Sequence, residues 1–266
     1  MNIHTAFRPA GIILVMLVMS ASLPAQQEKT FTLDTMRDPS FAEAFAVPRT
    51  WWLSDNAAFV YGRRMETQGR VLERLDPATG KRVSAYDAAK ARESFGKLYP
   101  GEEPPSLPPL PAAFSDDGAK GFYLIKGDIF VLDLAAGTIR RITRTPEIER
   151  AVNFSPDGMH LAYVRENDLY TYDLGTNSET RLTRDGSETI LNGTLSWVYW
   201  EEIFGRRDIG YWWSNDSRSI AFLRTDDSKV SLEHYVDITP WTPTVTTQRY
   251  PKVGEPNPSV RVGFDQ

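Results

Sequence analysis

The sequence predicts an all-β chain built as a β-propeller of about four blades. Three observations carry this. First, Phe114-Ser-Asp-Asp-Gly118 recurs as Phe154-Ser-Pro-Asp-Gly158. Tyr123 recurs as Tyr163, Ile129 as Leu169, Asp133-Leu134 as Asp173-Leu174, and Arg141-Ile-Thr-Arg144 as Arg181-Leu-Thr-Arg184. Each pair is about 40 residues apart, the period of propeller blades. Second, each unit reads strand, turn, strand, turn, strand, with apolar residues alternating as in Leu161, Tyr163 and Leu169, Tyr170, Tyr172. Third, weaker copies open at Leu53-Ser-Asp-Asn56 and Trp213-Ser-Asn-Asp-Ser217. A solenoid or a single sandwich is the structural alternative, and the hairpin signature at blade spacing favours the propeller.

The elements follow in order. Met1 to Ala25 has the pattern of a secretory signal: a short start with Arg8, an apolar run from Gly11 to Met19, and small residues before a cut after Ala25. An uncleaved membrane anchor is the alternative. Either way the body of the protein is expected to be exported, periplasmic or secreted. Residues 26–50 form a lead-in, with a short helix expected around Phe41 to Ala46. From residue 51 the propeller domain is expected to run to residue 266. Trp51 to Tyr61 reads as strand, turn, strand, and so does Arg70 to Val83, around Asp76-Pro-Ala-Thr-Gly80. Proline fixes φ there and glycine accepts a positive φ. A short helix is expected over 88–98. The stretch 100–111 contains six prolines and is read as a stiff connector.

Composition bounds the function. Of 266 residues, 41% are hydrophobic and 24% charged, enough to bury a core, and the net charge is −5 with no lysine–arginine block. Nucleic acid is therefore not an expected partner. There is no cysteine, which removes disulfides, thiolate nucleophiles and zinc–cysteine sites. The histidines are His4, His160 and His234; none has metal-ligand spacing, so no metal or cofactor is implied. Asn192-Gly-Thr and Asn215-Asp-Ser fit glycosylation sequons and are read as turns.

The candidate site comes from an irregularity in the repeat. From Ser155 to Ser214 the spacing exceeds the blade period by about twenty residues, and the excess lies between Arg184 and Tyr211. Insertions in repeat proteins map to loops, and loops carry function. This one holds Trp197-Val-Tyr-Trp-Glu201-Glu202-Ile-Phe204, and Tyr211-Trp212-Trp213 follows it. Four of the chain's seven tryptophans fall between 197 and 213. Two adjacent carboxylates resist burial unless a cation satisfies them. The candidates are thus Glu201 and Glu202, within an aromatic wall of Trp197, Tyr199, Phe204, Trp212 and Trp213. The competing reading is a surface turn, with the glutamates in water and the aromatics packed below.

Trp197-Val-Tyr-x-Glu201-Glu202-x-Phe204, Trp212-Trp213-Ser214 and Tyr250-Pro-Lys-Val-Gly254-Glu-Pro-Asn257-Pro258-Ser-Val260 together resemble the dipeptidyl peptidase IV family, serine exopeptidases of the prolyl oligopeptidase clan. The resemblance implies a partial β-propeller, about four blades of an expected eight, with a short helical insertion carrying the glutamates. It implies that Glu201 and Glu202 bind the free amino terminus of a peptide substrate, and that the complete enzyme releases amino-terminal dipeptides and can form homodimers. Two features depart from the family. A third acidic residue is common where this chain has Trp200, and an arginine supplied by an earlier blade would fall near Phe122, where there is none. No Gly-x-Ser-x-Gly nucleophile occurs, so the chain is expected to lack the catalytic α/β-hydrolase domain and to be inactive alone. A standalone periplasmic propeller acting as a binding scaffold is the alternative.

Overall fold

The computed structural model describes residues 32–37, 48–63 and 70–265. The expected signal segment and the helix around Phe41 lie outside them. Two compact units divide at Val47 and Pro48. In the first, α1 (Leu33–Arg37) is a single short helix with Asp34 in its first turn.

The second unit is a row of antiparallel sheets. The first blade is β1 (Arg49–Trp52), β2 (Ala58–Arg63), β3 (Arg70–Leu75) and β4 (Arg82–Ser84), paired in sequence order. It begins at Arg49, ahead of the expected start at 51. The second blade is β5 (Ala113–Phe114), β6 (Lys120–Ile125), β7 (Asp128–Asp133) and β8 (Thr138–Arg141). The third is β9 (Arg150–Phe154), β10 (His160–Arg165), β11 (Asp168–Asp173) and β12 (Ser178–Arg181). The fourth is centred on β15 (Ile220–Asp226). Both β13 (Ile190–Asn192) and β14 (Tyr211–Trp213) pair along one edge of β15, and β18 (Ser259–Asp265) pairs along the other. Between β15 and β18 a hairpin of β16 (Leu232–Asp237) and β17 (Thr244–Arg249) forms its own two-stranded sheet. The expected helix is α2 (Ala88–Gly96), capped by Asp87, which accepts from the amides of Ala89 and Lys90 at 3.0 Å. Its Phe95 packs edge-on to Phe130, and Leu107 and Leu110 of the proline-rich connector join the same core.

The blades bury both faces, which explains their composition. In β6 and β7, Tyr123, Phe130 and Leu132 pack toward the first blade while Phe122, Ile129 and Val131 pack toward the third. In β10, Leu161 and Tyr163 face the second blade while Ala162 and Val164 face the fourth. Successive side chains point to opposite faces. The period of two here sorts residues between two neighbours rather than between core and water.

The repeated motifs have defined jobs. In each Ser-x-Asp-Gly turn the serine hydroxyl donates to the aspartate: Ser115 to Asp117 at 2.6 Å and Ser155 to Asp157 at 2.5 Å. The glycine sits at positive φ, +69° for Gly118 and +65° for Gly158. In the fourth blade Ser217 takes that position at φ +61°. Its hydroxyl accepts from the Asp157 amide at 3.0 Å, tying two turns together. The Arg-x-Thr repeat closes the second and third blades, each onto a buried aspartate. Arg141 pairs with Asp128, and Thr143 accepts from the Ile129 amide. Forty residues on, Arg181 pairs with Asp168, and Thr183 accepts from the Leu169 amide. Asn192, in one of the sequons, is fully buried and donates to Asp168 and Asp185.

Candidate functional site

The expected insertion springs from the middle of a strand. β13 pairs with Arg224 to Asp226 and β14 with Ile220 to Phe222, so the two are halves of one edge strand interrupted at Leu223. The Gly193 amide donates to the Leu223 carbonyl at 2.9 Å, and the Leu223 amide donates to the Gly210 carbonyl at 2.8 Å. The Gly210 amide closes the neck onto the Gly193 carbonyl at 2.9 Å. Both glycines suit this neck. Gly193 has φ +77°, and a Cβ on Gly210 would lie 2.9 Å from Leu195.

Beyond the neck the chain forms a π-helical turn, Tyr199–Ile203, in which the Phe204 amide reaches the Tyr199 carbonyl at 2.8 Å. Single π turns recur at functional sites because they re-aim side chains. Past its end the chain reverses through Gly205 and Arg206, both at positive φ. The Arg206 guanidinium donates twice to Glu201 Oε1, at 2.8 and 3.1 Å. The Glu201 side chain is 21% exposed and that of Arg206 74%. Glu202 is exposed. Arg206, an exposed surface side chain, thus pairs with Glu201, and among the described residues no ion pair is made by Glu202.

The aromatic residues do not form one wall. Trp197 meets Tyr250 edge-on, with ring centroids 4.8 Å apart, so the two sequence motifs some fifty residues apart touch at this point. Phe204 and Trp212 lie 6.3 Å apart. Trp213 departs from the expected group. It follows Trp212 in a strand, so its side chain takes the other face, where it lies 6.0 Å from His160. Tyr199 and Trp200 are half-buried. His160 stands between Asp157 and Asp173 at 3.8 and 3.9 Å, and His234 is paired opposite Thr247 in the hairpin.

Two residues the sequence reading passed over hold the insertion down. Arg150, at the start of β9, donates to Asn167 at 2.6 Å, to Thr194 at 3.3 Å and to Asp208 at 3.3 Å. Burial raises the Asp208 carboxyl above its usual range, and the Arg150 charge opposes this. Arg150 also lines a cleft of about 350 Å³ beside Trp197 and Trp200. Arg150 comes from the third blade, and its hydrogen bonds go to Asn167, Thr194 and Asp208 rather than to either glutamate. No sequence pattern signalled it, because its partners lie 17, 44 and 58 residues away.

A family model described as the dipeptidyl peptidase IV (DPP IV) N-terminal region matches residues 112–265. Probable dipeptidyl-aminopeptidase B of Talaromyces stipitatus is 39% identical over 93 residues, which are 30% of this chain and 10% of that protein. The protein of the same description from Penicillium rubens is 35% identical over 100 residues, again 30% of this chain and 10% of that protein. Among solved structures, Porphyromonas gingivalis dipeptidyl peptidase 4 superposes with a TM-score of 0.65 at 23% identity, over 89% of this chain and 33% of that one. The matches thus span about a tenth of the curated relatives and a third of the solved chain. At that identity the superposition speaks for the fold.

Proposed function

The chain belongs to the dipeptidyl peptidase IV N-terminal region family, and from that premise we propose that Glu201 and Glu202 bind the free amino terminus of a peptide. In the complete enzyme this propeller portion gates access to a serine peptidase domain that releases dipeptides, and the protein is exported. One observation carries the reading: an insertion pinched out of an edge strand presents two adjacent carboxylates, of which Glu201 is paired only with the exposed Arg206 and Glu202 stands exposed beside it. An α-ammonium brings one positive charge and several N–H donors. It can supply the missing charge through charge-assisted hydrogen bonds to both carboxylates. Such a clamp measures distance from the chain end.

The test is calorimetric titration of this chain with an Ala-Pro-containing peptide, either free or acetylated at its amino terminus. Hydrogen bonds to charged groups contribute roughly 1.5–3 kcal/mol, so Glu201→Gln and Glu202→Gln should each weaken the free peptide by about ten- to a hundred-fold. The acetylated peptide should bind weakly to wild type and variants alike, since it offers no counter-charge. Equal losses on both peptides, or no loss on the free one, would overturn the clamp.

A further inference from the structure

We propose that the cleft between the insertion and the β16–β17 hairpin is a second cation subsite, taking a primary ammonium group on an aliphatic stem, with Asp227 receiving the charge. This subsite does not depend on the role of Glu201 and Glu202, neither of which lines the cleft.

The cleft is walled by Trp197 and Trp200 of the insertion, Leu195 at its neck and Leu232 of β16. Asp227 lines it and is 6% exposed. Its Oδ1 is buried with no hydrogen-bond partner, and among the described residues no ion pair reaches its carboxylate. Ser196, 4% exposed, lines the same cleft and also has a buried Oγ without a partner. Two unpartnered polar groups this deeply buried are costly in a folded chain.

The other charges around the cleft leave Asp227 available. Arg150 is committed to Asn167, Thr194 and Asp208. Arg249 donates to the Val230 carbonyl at 2.7 Å and acts on Asp227 only at longer range. Glu188 lines the cleft as a further negative charge, and Asp226 adds another beside Asp227. With Arg150 balanced by Asp208, the charged lining leaves Arg249 facing both Asp227 and Glu188. An incoming ammonium would form charge-assisted hydrogen bonds to Asp227 and stand against the tryptophan faces. An aliphatic stem would lie along the leucines, as long cationic side chains do on apolar surfaces. The ligand class is therefore one resembling a lysine side chain.

The experiment titrates the full chain with Nα-acetyl-lysine amide, and with Nα-acetyl-norleucine amide as a comparator that lacks the charge. The lysine derivative should bind saturably and the norleucine derivative at least tenfold more weakly. Asp227→Asn should weaken the lysine derivative tenfold or more. For wild type, affinity should fall as pH drops through about 6, where Asp227 takes up a proton. That titration decides the matter if the variant fails to fold. The subsite is overturned by equal binding of the two derivatives, by absence of saturable binding, by undiminished binding in Asp227→Asn, or by an affinity flat from pH 8 to 5. A loss confined to a Glu201→Gln/Glu202→Gln variant would move the ligand to that pair and overturn it too.

Discussion

Arg206 grips Glu201 from five residues further along the chain, its Nη2 standing 2.8 Å from Oε1. Arg206 lies past the end of the π turn, and its amide reaches back to the Trp200 carbonyl at 2.7 Å. Arg206 holds a positive φ of +66°, a strained conformation for a residue with a Cβ. The pair is exposed on the arginine side, so it adds little to stability. It occupies a carboxylate that a ligand ammonium would use.

Arg206→Gly should therefore tighten binding of a free-amine peptide by about two- to tenfold. It should also raise stability slightly, by up to ~1 kcal/mol, because glycine accepts the left-handed conformation. Calorimetry and urea unfolding check the two effects separately. Weaker binding would mean that Arg206 orients Glu201 rather than competing for it.

Arg150→Met should loosen the insertion and leave the blades intact. It removes bonds to Asn167, Thr194 and Asp208 and strips the half-buried Asp208 of its counter-charge. Arg150 and Asp208 are both partly exposed, so the stability cost should stay near ~1 kcal/mol. Hydrogen exchange should accelerate at residues 194–209 and stay unchanged in β10 and β11. Arg150→Lys should rescue only part of the protection, since a point charge cannot serve three acceptors in the guanidinium geometry.

Asp227 sets a pH dependence. Burial pushes its carboxyl up to about 6, with the Arg249 charge opposing and the Asp226 charge adding. The unfolded chain releases that proton near the ordinary value of about 3.9. The folded protein therefore binds more protons between those values. The stabilisation from this group is fully present below about pH 4 and is lost as pH rises through about 6. Asp227→Asn should match wild type at pH 4 and exceed it at pH 7 by ~1–2 kcal/mol in urea unfolding. A variant less stable at pH 7 would show that the carboxylate is needed by the fold.

Gly118 and Gly80 separate two effects. Both have positive φ, +69° and +71°. A Cβ at Gly80 would meet nothing within 4 Å, whereas one at Gly118 would lie 2.8 Å from Leu53 and 3.0 Å from Phe59 of the first blade. Gly80→Ala should cost ~1 kcal/mol for backbone conformation alone. Gly118→Ala should cost ~2–4 kcal/mol, the excess coming from the contact between blades. Equal losses would place that contact outside the stability of the blades.

The blades were legible in the sequence because each is assembled from neighbours. Ser115, Asp117 and Gly118 bond within one turn, and their spacing recurs intact at Ser155, Asp157 and Gly158. Hairpins pair residues close in the chain, so their signals survive in a linear reading. The excess between Arg184 and Tyr211 was legible for the same reason, as an interruption of that spacing, and Glu201 and Glu202 with it.

The surroundings of the glutamates were decided in three dimensions. Whether Trp212 and Trp213 share a face depends on their being in a strand, where neighbours diverge. Arg206 reaches Glu201 because the chain reverses past the π turn, where Gly205 and Arg206 both hold positive φ. Arg150, Thr194 and Asp208 meet because two blades lie side by side, and Asp227 is isolated because the insertion and hairpin close over it. Local hydrogen bonding and strand period are written in adjacent residues. Contacts between blades depend on how finished sheets pack, and no spacing along the chain encodes that.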